Sequence, residues 1–206
     1  DRGGFRSDLT VMRLAHDTFR VVTGGAHGMA DFKWFSDRMP ADGGAVCVNV
    51  TSSWTTVGLW GPKALDILGS LTDADVSSGT FKFGTCQNIE IGNLPVLASR
   101  ISYVGEFGWE LYAPMEMGAA LWQRVHEAGQ PHGIVPVGIG VYGTTGRIEK
   151  GYRAYGPELD GSRTLFEVGM ERIKLKAADF IGRAAYAAQA GAERAAVLCT
   201  LTVDHH

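Results

Sequence analysis

Three acidic or aromatic positions carry the chemistry that this sequence offers. In Tyr103-Val104-Gly105-Glu106-Phe107-Gly108-Trp109-Glu110, two glycines within four residues predict a tight turn between strands. Tyr103 and Glu110 are then expected on opposite arms of one hairpin, facing one pocket. A carboxylate beside aromatic rings suits a flat, donor-rich heterocycle: it accepts two parallel N–H bonds while the rings cover the face. An ordinary hairpin, with a solvated Glu and core aromatics, has the same pattern. Asp8 opens the apolar run SDLTV. There it can bond backbone amides at a strand entry, or serve as a buried base or electrostatic anchor.

Other patterns offer less. Gly138-Ile139-Gly140-Val141-Tyr142-Gly143 matches G-x-G-x-x-G, with GIVPV before it as a possible strand and Glu158 and Asp160 about twenty residues on. Pro136 inside that strand and the lack of a second βα unit argue against a dinucleotide site. The six histidines form no H-x-x-x-H and pair with no Cys at ligand spacing, so no metal is expected. No G-x-S-x-G elbow and no P-loop occur. Cys47, Cys86 and Cys199 are odd in number and widely spaced, which disfavours a disulfide framework and suits a reducing, cytosol-like compartment.

The elements that must position these groups follow from periodicity. Two alternating runs within 8–23 predict a hairpin. Met29, Phe32, Phe35 and Met39 share a helix face that Pro40 ends. AVCVNVT, WTTVGLW, runs within 81–103, GWELYAP and AAVLCTLTV read as strands. Helices are expected after Gly61-Pro62, over 118–128 with Leu121, Trp122 and Val125 inward, and over 178–190. Residues 140–150 form a weaker helix, interrupted by Gly143 and Gly146. Strands in consecutive pairs predict an α+β fold with mixed, largely antiparallel sheets and flanking helices.

The 206 residues carry 19 Lys+Arg against 22 Asp+Glu, a net charge of -3. That balance argues against nucleic acid and against anionic membrane surfaces as partners. No apolar run approaches the roughly 18 residues of a membrane span. Strand-like patterns at both ends suggest a piece of a longer polypeptide.

Several segments together resemble one family. GGFRSDLTVMRL, FRVVTGG, FKFGTCQNIEIGNLPVLASRISYVGEFGWELY, RIEKGYRAYGPELD and IKLKAADFIGR resemble the folate-binding, aminomethyltransferase-like half of dimethylglycine and sarcosine dehydrogenases and oxidases. That half is similar to the T-protein of the glycine cleavage system. SYVGEFGWELY is the most specific element, and EKGYRAYG points to the dehydrogenase branch. The resemblance implies the T-protein-like fold over 1–195, without its N-terminal part, and the start of a C-terminal barrel over 196–206. It also implies that an FAD domain, absent from this chain, oxidises a small N-methyl amine. Tetrahydrofolate then captures the one-carbon unit as 5,10-methylenetetrahydrofolate. Asp8 matches the catalytic carboxylate of the family, and Tyr103 and Glu110 match its pterin-binding pair. Arg147 and Glu149 match an RLE segment, read here as structural. Gly24 and Gly143 stand where T-protein has Asn and Arg, and GTTG predicts a distorted helix. The implied compartment is the bacterial cytoplasm, or the mitochondrial matrix in a eukaryote. A non-catalytic regulatory relative, like the regulatory subunit of pyruvate dehydrogenase phosphatase, shares the fold and is the alternative.

Overall fold

A computed structural model describes residues 2–171 and 177–204. The beginning of IKLKAADFIGR and the terminal His205-His206 lie outside these residues. Within them the fold is α+β with antiparallel sheets, as the strand pairing in the sequence predicts. β1 (Leu9–Arg13) and β2 (Phe19–Thr23) form the expected hairpin, with Leu9 opposite Thr23 and Arg13 opposite Phe19. β3 (Trp54–Trp60), β4 (Cys86–Ile91), β5 (Leu94–Ser99) and β6 (Gly108–Pro114) form a second sheet in the order β3-β6-β5-β4. Every pairing in it is antiparallel.

Alternation along β6 divides the second sheet into two faces. Trp109, Leu111 and Ala113 point into the main core, packed with Val57 and Leu59 of β3 and Val96 and Ala98 of β5. α2 (Ala64–Gly69) and α3 (Gly118–Gly129) close this core through Ile67, Leu68, Leu121 and Val125. Each fully buried large apolar side chain contributes roughly 1.5–3 kcal/mol before conformational entropy is counted. Trp122 does not face inward as expected. One residue round the helix from the Leu121 and Val125 stripe, it stays half exposed and stacks on His126 at 6.1 Å.

The second face carries Glu110 and Tyr112. Here Tyr112 and Leu97 meet Met12 of β1 in a smaller buried cluster. The hairpin therefore lies across this face, with Asp8 just before β1. α1 (Gly28–Ser36) follows β2, but the side chain it buries is Asp31, while Met29 is 79% exposed.

Three expected strands are absent. Residues 45–50, 134–138 and 195–203 are irregular, and Val46, Val48, Val135, Val137, Leu201 and Val203 are exposed. Each run is apolar enough for a strand, but no neighbouring strand among the described residues supplies the ladder. A π-helical turn over Val141–Thr145 runs into α4 (Gly146–Lys150), which is the distortion expected from GTTG. α5 spans Arg183–Gln189, shorter than the 178–190 read from the sequence.

Candidate functional site

Glu110 sits in the middle of β6, opposite Gly58 of β3 and Ser99 of β5. A glycine at position 58 is required: a Cβ there would lie 2.1 Å from the Trp60 indole, which covers the strand beside Glu110. Gly108, at φ +153°, leaves room for the Leu59 carbonyl, which any Cβ at position 108 would strike. These two glycines let β3 and β6 close tightly under an aromatic floor.

The turn differs from the expected one. β5 ends at Ser99, so Tyr103 is not on a strand arm but in the irregular loop 100–107. Its hydroxyl donates to the Arg153 backbone oxygen at 3.1 Å. Its ring packs between Tyr142 at 5.1 Å and Tyr152 at 6.3 Å, and Tyr142 in turn meets Trp60 at 5.7 Å. The aromatic face predicted beside Glu110 is thus a row of four rings drawn from β3, the loop, the π-helical turn and the segment after α4.

Electrostatics ties the row to the acids. Burial raises the Glu110 carboxyl above its usual value, and the hydrogen bond that Tyr112 Oη donates to Glu110 Oε2 lowers it in part. Glu110 Oε1 accepts no hydrogen bond from the described residues. Burial pushes the Tyr142 phenol up to about 12, with further contributions from Glu110, Tyr103 and Asp8. Tyr103 is raised by burial; Arg147 opposes this, and Asp8 and Glu158 add to it. Asp8 is exposed on one side, yet the protein around its carboxyl raises its value too. Tyr103 thus packs on Tyr142 at 5.1 Å, and Tyr142 also feels the charges of Glu110 and Asp8. Two cavities of about 800 and 390 Å³ lie elsewhere, and none of the three residues lines either.

Trp60, Tyr112, Tyr142 and Tyr152 join the site without having stood out in the sequence. Tyr142 was hidden inside the G-x-G-x-x-G match. That match is no dinucleotide loop, because no strand precedes it and its second half is helical. Glu158, its proposed ribose ligand, instead pairs with the buried Arg147 at 3.0 Å. Arg147 also donates to the Gly143 and Tyr152 backbone oxygens, at 2.6 and 3.1 Å. This makes it a strut for the turn that carries Tyr142. Glu149 is exposed. A Cβ at Gly143 would meet nothing within 4 Å, and one at Gly24 only the His27 ring at 3.5 Å. Among the described residues, no group of His, Cys, Asp and Glu could hold a metal ion.

The family model of the GCVT N-terminal domain matches residues 1–176. The chain belongs to this family. It is 37% identical over 209 residues to dimethylglycine dehydrogenase, mitochondrial, of Rattus norvegicus, covering 98% of this chain and 24% of the relative. It is 35% identical over 186 residues to an aminomethyltransferase of Chlorobium luteolum, covering 89% and 50%. The chain thus spans about a quarter to a half of these curated enzymes. Among solved structures, the heterotetrameric sarcosine oxidase of Corynebacterium sp. U-96, in complex with pyrrole 2-carboxylate, has a TM-score of 0.52. Its sequence identity is 19%, with 64% of this chain and 65% of that chain covered, a likeness of fold. No helix among the described residues of this GCVT-type domain is long and apolar enough to cross a membrane.

Proposed function

We propose that this domain is the tetrahydrofolate-dependent one-carbon transfer module of an FAD-dependent enzyme that demethylates an N-methylglycine-type amine and forms 5,10-methylenetetrahydrofolate. The observation that carries the reading is Glu110, with one carboxylate oxygen held by Tyr112 and the other accepting no hydrogen bond from the described residues, beside the row Trp60, Tyr142 and Tyr103. A carboxylate acceptor at the edge of an aromatic floor matches the N–H edge and the flat face of a pterin. The relatives' names, dimethylglycine dehydrogenase and aminomethyltransferase, support the same chemistry.

Tetrahydrofolate supplies the nitrogen nucleophile, so the protein needs no triad or metal for this step. Glu110 would fix the pterin edge, while Tyr103, Tyr142 and Trp60 cover its face and exclude water. Asp8 would orient the folate amines and accept a proton. Its raised value favours that role, because a carboxylate that is costly to keep ionised takes up a proton more readily. FAD is assigned to polypeptide outside these 206 residues, together with the oxidation of the amine.

Titration with tetrahydrofolate and with NAD separates this reading from a dinucleotide site: the first should quench tryptophan fluorescence saturably and the second should not. In the enzyme that contains this domain, Asp8→Asn should keep folate affinity within about threefold while slowing methylene transfer by 10²-fold or more. Unchanged transfer would remove Asp8 from the mechanism.

A further inference from the structure

The β1–β2 hairpin has two ends over the sheet. Asp8 marks one end, immediately before Leu9. Leu14, just past β1, and Arg20, opposite Met12, mark the other, beside the buried plug of Met12, Leu97 and Tyr112. Past that plug lies the cavity of about 800 Å³. Leu14, Arg20, Trp54, Pro95, Leu97 and Pro114 supply one wall, and the β4 edge and the segment after α2 supply the rest.

Arg20 is the anomaly in this wall. Its guanidinium lies 3.7 Å over the Trp54 ring, and its Nη1 is sealed from solvent with no hydrogen-bond partner. It makes no ion pair with any described residue. A guanidinium stays charged at any physiological pH, and sealing one of its nitrogens from water without an acceptor carries a cost. Stacking on an indole offsets part of that cost but satisfies none of the N–H donors. Desolvation lowers its proton affinity, while nearby Tyr112 and Cys86 act the other way. The remaining charged side chains on the cavity wall are Asp73 and Glu90. Neither pairs with Arg20, and both repel a second negative charge on a ligand.

We propose that this cavity is a second binding site, separate from the folate site, for a small monocarboxylate with an apolar body. Arg20, only partly buried, takes the carboxylate through the guanidinium N–H groups that stay accessible beside the sealed Nη1. Leu14, Pro95, Leu97 and Pro114 pack against the apolar part. Asp73 and Glu90 restrict the ligand to a single negative charge, which disfavours phosphate and a polyglutamyl folate tail.

Benzoate is the probe, titrated into the 206-residue chain by calorimetry and followed by amide chemical shifts. Saturable binding is expected, with shifts at residues 14–20 and 88–97. Benzamide, of the same shape but neutral, and inorganic phosphate should each bind at least about tenfold more weakly. Arg20→Met should weaken benzoate at least about tenfold, and Arg20→Lys should fall between, keeping the charge but not the planar fork. Pentaglutamyl and monoglutamyl tetrahydrofolate should lose no affinity in Arg20→Met. Absence of saturable benzoate binding by the parent, equal benzoate affinity in Arg20→Met, or phosphate binding as tightly as benzoate would overturn the proposal. A selective loss of pentaglutamyl folate in Arg20→Met would overturn it as well, assigning Arg20 to the folate tail.

Discussion

Glu110 is ionised at a cost. Its carboxyl is largely removed from water, and the Tyr112 hydroxyl restores only part of the lost solvation. A carboxyl whose folded-state pKa is raised binds more protons folded than unfolded. Its effect on stability is therefore most favourable at low pH, and it declines as pH rises from the ordinary carboxylate value through the raised one. Glu110→Gln keeps an acceptor for Tyr112 and removes the charge. In urea unfolding between about pH 4 and 8, this variant should gain stability relative to the parent as pH rises. A difference that stays constant with pH would contradict the burial cost. Glu110 was legible because a carboxylate two residues after a Gly-bracketed turn, next to Trp109, stands out in any reading. Tyr112 carried an equally available signal: it lies two residues on and so must share the face of Glu110. Tyr142 was masked by glycines that suggested a phosphate loop and instead accompany a π-helical turn.

At the scale of elements, the hairpin that carries Asp8 is pinned from below. Asp31 of α1 is only 7% exposed, accepts a hydrogen bond from Ser7 Oγ at 2.8 Å, and accepts another from Thr23 Oγ1. Ser7 adjoins Asp8, and Thr23 adjoins Gly24, so one buried carboxylate sets the entry of β1 and the exit of β2. Asp31→Ala should cost about 1–3 kcal/mol, because two hydroxyls lose their acceptor, and it should also weaken folate binding. Unchanged unfolding in urea would show that the clamp is idle. The hairpin itself was legible from alternation, as were β3 and β6. The run at 45–51 alternates too, and 195–203 is as apolar, yet neither forms a strand. Alternation records which side of a chain avoids water, whereas a strand also needs a partner for its N–H and C=O groups. The face of α1 was misread for a related reason: Met29 suited an apolar stripe, but the position facing the hairpin holds a carboxylate that its hydroxyls satisfy.

At the scale of the whole molecule, a single sheet separates stability from chemistry. One face is a conventional apolar core around Trp109 and Leu111, both fully buried. The other holds the acids, the aromatic row and the hairpin. Leu111→Ala should therefore destabilise by about 2–5 kcal/mol in urea unfolding, by opening a cavity in the core face. Folate affinity measured well below the unfolding midpoint should change little, because the site lies on the other face. A large loss of affinity without loss of stability would show that the two faces are not independent. The α+β class and the family were legible from segment order. The site's four-ring floor was not, since it unites residues from positions 60 to 152 that only the fold brings together. The most direct test of the site is a titration of tetrahydrofolate into the parent chain, Glu110→Gln and Glu149→Gln. Glu149 is an exposed carboxylate from the same resemblance and serves as the control. Binding should weaken at least about tenfold in Glu110→Gln and stay unchanged in Glu149→Gln. Equal affinity in the parent and Glu110→Gln would contradict the placement of the pterin at Glu110.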